Sequence, residues 1–309
     1  MKHKLLTTLS VISGIGSGLA LIGGYVVYHV GVVNSLKNKG RYYSLSENTD
    51  AENQWYVDMP KQEWQIKSND GLTLRATYIP NSNSHKVAIL FHGLQHSREQ
   101  MVPYAQMFYH MGFSLLMPDA RAHAASDGIR IGYGWLDRKD CLGWIKAVNS
   151  HIAGADIVLM GISMGAGTVL ATSGEPLPTN VKAIIADSGY GSMKREGEFR
   201  LRHYYHIQPF PLMYTASLFM KLLAGYSYED ANIDQQVKQN KVPLLIIQGK
   251  KDQTVPVTEA PILYQEAQVP KMLYLNGTAK HVQTLRTNPE KYYQVLRAFL
   301  NDPAINLLN

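Results

Sequence analysis

The chain has 309 residues, of which 45% are hydrophobic and 17% charged, with a formal net charge of +6 and one cysteine. That length suffices for one large α/β domain, or two small ones, with a full core. Lys and Arg are scattered rather than gathered into a basic stripe with interleaved aromatics, which argues against a nucleic-acid partner. The lone Cys141 excludes an internal disulfide and a cysteine-rich metal site.

Lys2 and Lys4 precede residues 5–36, a run without Asp, Glu, Lys or Arg. About 20 mostly apolar residues suffice to cross a bilayer. A cleaved signal peptide competes, with Gly18-Leu19-Ala20 as its small-residue site. The chain stays apolar beyond that point, however, through Leu21, Ile22, Val26, Val27, Val30, Val32 and Val33. The expectation is an uncleaved single-pass anchor over residues 1–36, making the cell membrane a partner. Lys2 and Lys4 at one end nearly balance Lys37, Lys39 and Arg41 at the other. The rest of the chain is placed, on that narrow margin, outside the cytoplasm. Residues 37–61 read as a polar juxtamembrane stalk, and residues 62–309 as one domain.

Within that domain, residues 64–67 and 72–78 alternate apolar with polar around Asn69-Asp70-Gly71. This is a hairpin signal, because Asp-Gly supplies the positive φ angles of a tight turn. Continuous apolar runs follow at 87–91, 113–117, 157–160, 181–186, 243–248 and 272–275, as in strands buried on both faces. Helical stretches over 97–111, 136–150, 258–267 and 289–300 separate most of them. The alternation predicts a mostly parallel, doubly wound sheet of about eight strands, with the hairpin antiparallel at one edge. Residues 191–240 exceed a plain crossover and are rich in aromatics, including Tyr204, Tyr205, Phe210, Tyr214, Phe219, Tyr226 and Tyr228. They read as a helical cap insertion. Two roles fit those aromatics: lining an apolar acyl site, or packing the cap onto the body.

Gly161-Ile162-Ser163-Met164-Gly165 is a G-x-S-x-G sequence at the end of a strand and the start of a helix. It holds a serine hydroxyl exposed on a sharp turn, which suits a nucleophile. Three histidines follow it: His203 and His206 in the cap, and His281 after the last strand. Chain order and position select His281 as general base. Asp252, in the loop after the 243–248 strand, suits the acid that orients it. Asp230 and Asp234 precede that strand and are weaker rivals. Stabilising an oxyanion needs backbone donors. The N–H of Met164 is one, and that of Leu94, with Gln95 as alternative, is the other. Cys141 lies among apolar neighbours and reads as an inert buried thiol. No metal or cofactor is expected.

Together with His92-Gly93, residues 118–128, residues 249–256 and Lys280-His281, this motif resembles the ordered signatures of α/β-hydrolases. The similarity is to the serine aminopeptidase/lysophospholipase-like branch, which includes membrane-anchored bacterial hydrolases, and it covers residues 63–300. The family often carries glycines where this chain has Ala122 and Ala124, a departure outside the three residues singled out above. The resemblance implies an α/β-hydrolase fold and hydrolysis of a small-molecule carboxylic ester through an acyl-enzyme, with lipid-like acyl groups suggested by the cap and the anchor. A peptidase or amidase on the same residues is the alternative, and a non-catalytic binding scaffold is a further one.

Overall fold

The apolar runs build one eight-stranded sheet in a computed structural model that describes residues 18–33, 48–82 and 84–308. In chain order the strands are β1 (Gln62–Lys67), β2 (Thr73–Ile79), β3 (Lys86–Phe91), β4 (Ser114–Pro118), β5 (Asp156–Ile162), β6 (Val181–Asp187), β7 (Leu244–Gly249) and β8 (Lys271–Asn276). Their order across the sheet is β1-β2-β4-β3-β5-β6-β7-β8. Only β2 runs against the others: it pairs antiparallel with β1 and with β4, and every other pairing is parallel. The expected hairpin forms, with Lys67 opposite Thr73 and Gly71 at φ +85° in the turn.

Strand alternation sends side chains to two cores. Val87, Ile89, Ile157 and Leu159 join Trp144, Val169 and Leu170 on one face; Ala88, Leu90, Val158 and Met160 join Phe108, Tyr292 and Phe299 on the other. The helices that cover these faces are α3 (Val102–His110), α4 (Asp137–His151), α5 (Met164–Thr172), α9 (Glu259–Glu266) and α10 (Pro289–Leu300). Burial of both faces is why the strands read as unbroken apolar runs. It also leaves the strand C-terminal ends as the open edge where loops can gather.

Between β6 and β7 lie α6 (Met193–Tyr204), α7 (Leu212–Ala224) and α8 (Ile233–Gln239). The last packs against α5 and α9 and belongs to the body. The first two form the cap. Its core joins Met193, Leu201, Met213, Met220, Tyr226 and Tyr228.

The expectation of a membrane-spanning anchor is corrected here, and with it the cell-membrane location and the membrane as partner. Among the described residues no helix is long and apolar enough to cross a membrane. Residues 18–32 are helical (α1) and lie on the cap, where Tyr28 and Val32 are buried with Met213 and Met220. Close approach of the two helices rests on Gly24, where a Cβ would lie 2.0 Å from Thr215 Oγ1. Thr215 Oγ1 donates to Ala20 O (2.9 Å), and the backbone of Val32 accepts from Ile131 N–H (2.8 Å). An apolar run is ambiguous because hydropathy does not record what the residues pack against, and a helix with a buried face gives the same signal as a span. Leu19, Ile22, Val26 and Val30 on α1 are exposed. The remainder of the expected anchor, residues 1–17 and 34–36, lies outside the described residues, as do residues 37–47 of the expected stalk. The stalk's other end is a helix, α2 (Asp50–Asp58), closed by a capping box between Thr49 and Glu52, with Tyr56 buried.

Candidate active site

The β5 strand runs into Ser163, and α5 begins at the next residue. The turn is forced: Ser163 sits at φ +52°, ψ −114°, outside the ordinary regions for a residue with a Cβ. It is held there by its own N–H donating to Asp187 O (2.9 Å) and its carbonyl accepting from Gly167 N–H (3.0 Å). The flanking glycines serve close packing. A Cβ on Gly161 would lie 2.1 Å from Gly165 O, and one on Gly165 would lie 2.1 Å from Phe91 O. Both contacts are with backbone that cannot swing away. Gly165→Ala is therefore expected to cost about 3 kcal/mol and to displace Ser163, measured by urea unfolding. A variant as stable as the parent would contradict the packing argument.

Loops after β7 and β8 bring the other two residues to this serine. His281 Nε2 lies 2.8 Å from Ser163 Oγ, and His281 Nδ1 lies 2.7 Å from Asp252 Oδ2. Asp252 is 8% exposed. Its carboxylate is fully engaged: Oδ1 accepts from Thr254 N–H (2.8 Å) and Val255 N–H (2.9 Å), and Oδ2 also accepts from Gln248 Nε2 (2.7 Å). Four donors on one carboxylate fix its orientation. Asp230 and Asp234, the rival acids, are elsewhere, paired with Lys221 and Arg195.

The loop after β3 forms the opposite wall. Gln95 N–H donates to His123 Nε2 (3.1 Å), with Gln95 at φ +61°. The N–H of Leu94 makes no hydrogen bond among the described residues, and Leu94 lines the cavity. Met164 is the first residue of α5, so its N–H has no partner one turn back. His92 and His123 are buried and tied to backbone: Nε2 of His92 accepts from Ala120 N–H (2.9 Å), and Nδ1 of His123 faces Arg121 O (2.8 Å). Burial holds His92 down to about 3, so it is neutral. Cys141 is buried, and burial pushes its thiol up to about 12.

Sequence reading missed a second buried carboxylate. Asp187, at the end of β6, accepts from Tyr292 OH (2.9 Å) and Ser188 Oγ (2.9 Å). Ser188 Oγ in turn accepts from Val282 N–H (3.2 Å), beside His281. Ser188 and Val282 stand at φ +58° and +56°. Strain thus collects at four positions around the site, Gln95 among them, and the other three are tied directly or through Ser188 to Asp187. An acid closing an apolar strand run was the available signal, whereas Asp252 was singled out by its place in the loop after such a run and ahead of His281. Burial raises Asp187 from 3.8 to about 6. The folded chain therefore keeps a proton that the unfolded chain releases; the stability gained is full below 3.8 and is lost as pH rises through about 6. Asp187→Asn mimics the protonated form. It is expected to stabilise the fold by at most about 3 kcal/mol at pH 8, with less than half that gain at pH 4.5. Equal effects at both pH values would contradict this account.

The cavity beside Ser163 has a volume of about 760 Å³. Its only cap residue among the described ones is Arg200; none of the cap aromatics lines it. Tyr226 and Tyr228 are buried inside the cap, whereas Phe210 and Tyr214 point outward, 74% and 57% exposed. Tyr204 OH instead donates to Gln253 O (2.9 Å), fastening the cap to the Asp252 loop.

This sheet order, with a strained serine after β5 and an aspartate and a histidine delivered by the last two strand-end loops, is the arrangement of the α/β-hydrolase fold. The chain has the α/β-hydrolase fold. Residues 82–200 match the family model described as serine aminopeptidase S33. The chain is similar to the uncharacterized protein YqkD of Bacillus subtilis, 25% identical over 248 residues, covering 80% of this chain and 81% of that one. It is also similar to YfhR of Escherichia coli O157:H7, 26% identical over 227 residues, covering 71% and 72%. An esterase of Pyrococcus furiosus superposes with a TM-score of 0.65 at 23% identity, over 80% of this chain and 94% of the other. An acylaminoacyl peptidase of Pyrococcus horikoshii superposes at 0.58 and 19% identity, over 82% and 43%.

Proposed function

We propose that this chain is a serine esterase that works through an acyl-enzyme. The observation that carries the reading is the unbroken line from Ser163 Oγ through the His281 imidazole to Asp252, with contacts of 2.8 and 2.7 Å. Ser163 Oγ attacks the ester carbonyl while His281 Nε2 takes its proton. The carbonyl oxygen becomes an oxyanion between the N–H groups of Leu94 and Met164. Leu94 is favoured over Gln95 because the Gln95 amide is already committed to His123. The tetrahedral adduct expels the alcohol, protonated by His281, and leaves Ser163 acylated. Water activated by His281 then attacks the acyl carbon, and the carboxylic acid departs. Asp252 keeps Nδ1 protonated and stabilises the imidazolium formed in each half.

A peptidase would use the same three residues, and the matched family model and the acylaminoacyl peptidase keep that reading in view. An aminopeptidase must also hold a free ammonium group, which calls for a carboxylate in the cavity. Among the described residues no Asp or Glu lines it. The ester reading is tested by the rates on a p-nitrophenyl hexanoate and the matched p-nitroanilide. The expected result is turnover of the ester with at least a hundredfold smaller kcat/KM on the anilide, in keeping with the poorer leaving group (~100-fold). Faster cleavage of the anilide would overturn it.

A further inference from the structure

The cavity walls carry charge of one sign. Arg200 and Arg286 line it, and no carboxylate does among the described residues. His96 also lines it, but burial holds its imidazole down to about 4, so it adds no charge at neutral pH. The two guanidiniums differ in what they have left to offer. Arg286 is spent: its Nη1 and Nη2 grip both oxygens of Glu52, at 2.6 and 2.8 Å. Arg200 uses only its Nε, which donates to Glu196 Oε1 (2.6 Å). Its two Nη groups make no hydrogen bond among the described residues, and its side chain is 35% exposed, in the cavity that Ser163 and His281 also line. Glu196 is 6% exposed and one turn away on the same helix. It holds the guanidinium through Nε, so both Nη groups stay uncommitted on a residue that lines the cavity. A planar fork held in this way matches the two oxygens of a carboxylate or the oxygens of a phosphate. The rest of the lining mixes polar residues, among them Gln95, Gln100 and Gln283, with apolar ones such as Leu94, Pro103 and Leu285, which leaves room for a short acyl chain beside an anionic group.

We infer that the substrate is an ester carrying an anionic oxygen group away from the scissile bond, and that the Nη edge of Arg200 binds it. This inference rests on the serine esterase reading above. It replaces a lipid-like acyl group by a short polar one, since the aromatics that suggested the lipid do not reach the cavity. Arg200 is a specificity-determining residue in this account, and Glu196 positions it.

The test compares three esters on the full chain: p-nitrophenyl hexanoate, its carboxylate-bearing counterpart p-nitrophenyl hemi-adipate, and 4-carboxyphenyl hexanoate. The last two place the anion on the acyl and the alcohol half. The quantity read is the ratio of kcat/KM for each anionic ester to that for the neutral one. Arg200→Gln is expected to lower that ratio by about tenfold or more for one of the two anionic esters, identifying the half that faces Arg200. Arg200→Lys should fall between, because it keeps the charge and loses the fork. Unchanged ratios for both esters in Arg200→Gln would overturn the inference. If Arg200→Gln does not fold, the unaltered enzyme decides: inhibition by adipate at constant ionic strength, tenfold tighter than by neutral dimethyl adipamide, supports the inference, and equal inhibition overturns it. Turnover with no anion dependence would sink this inference alone. Absence of turnover on every ester, with no fluorophosphonate labelling, would sink the esterase reading beneath it.

Discussion

Ser163→Ala is expected to lower ester turnover by about 100,000-fold while leaving the unfolding midpoint close to that of the parent. The side chain deleted is one oxygen, and the turn that holds it is built from backbone bonds to Asp187 O and Gly167 N–H, which alanine retains. His281→Ala is expected to cost about as much, because the base and the nucleophile act as one unit. The double variant should then be scarcely worse than either single one. Asp252→Asn should retain more activity, since the imidazole keeps its place in the pocket while losing the charge that stabilises its protonated form. Steady-state rates on p-nitrophenyl hexanoate check all four. Additive losses in the double variant would mean that Ser163 and His281 act separately.

The second large effect lies beneath the site. Arg98 and Asp119 form a buried ion pair, with side chains 5% and 2% exposed and Nη2 2.9 Å from Oδ2. The backbone N–H of Arg98 also donates to Asp119 Oδ1 (2.8 Å), and Arg98 Nη1 donates to Thr77 Oγ1 (2.8 Å). This network closes the loop that carries Leu94 and ties it to β2 and to the loop after β4. Arg98→Ala strands a carboxylate in the interior and is expected to cost about 3–5 kcal/mol. Replacing both, as Arg98→Met with Asp119→Leu, should recover much of that loss, because the stranded charge, rather than the missing pair, is what destabilises. Urea unfolding of the single and double variants measures both. A loss below about 1 kcal/mol in Arg98→Ala would place the pair in effective contact with solvent.

The sequence revealed what local pattern encodes. Strands buried on both faces leave continuous apolar runs, and all six of those runs became parallel strands within a residue or two of the expected bounds. The hairpin was legible because Asp70-Gly71 demands one turn geometry. Ser163, His281 and Asp252 were legible because each sits at a strand end in a fixed chain order, and the structure brings them within hydrogen-bond reach. Features set by packing partners were not legible. The apolar N-terminal run looked like a span because composition cannot distinguish lipid from the Met213 and Met220 side chains against which α1 lies. The cap aromatics fitted either a substrate wall or packing because sequence gives no direction to a helix face; Tyr226 and Tyr228 turned inward to the cap and Phe210 outward. Asp187 escaped notice because its partners, Tyr292 and Val282 by way of Ser188, come from distant parts of the chain.

We propose that Ser163 is a nucleophile activated by His281. The most direct test is to treat the chain with a fluorophosphonate and map the adduct by mass spectrometry. The account predicts a single adduct on the peptide containing Ser163, formed at a rate that His281→Ala abolishes. An unmodified Ser163 in folded protein, or an adduct on another residue, would contradict it.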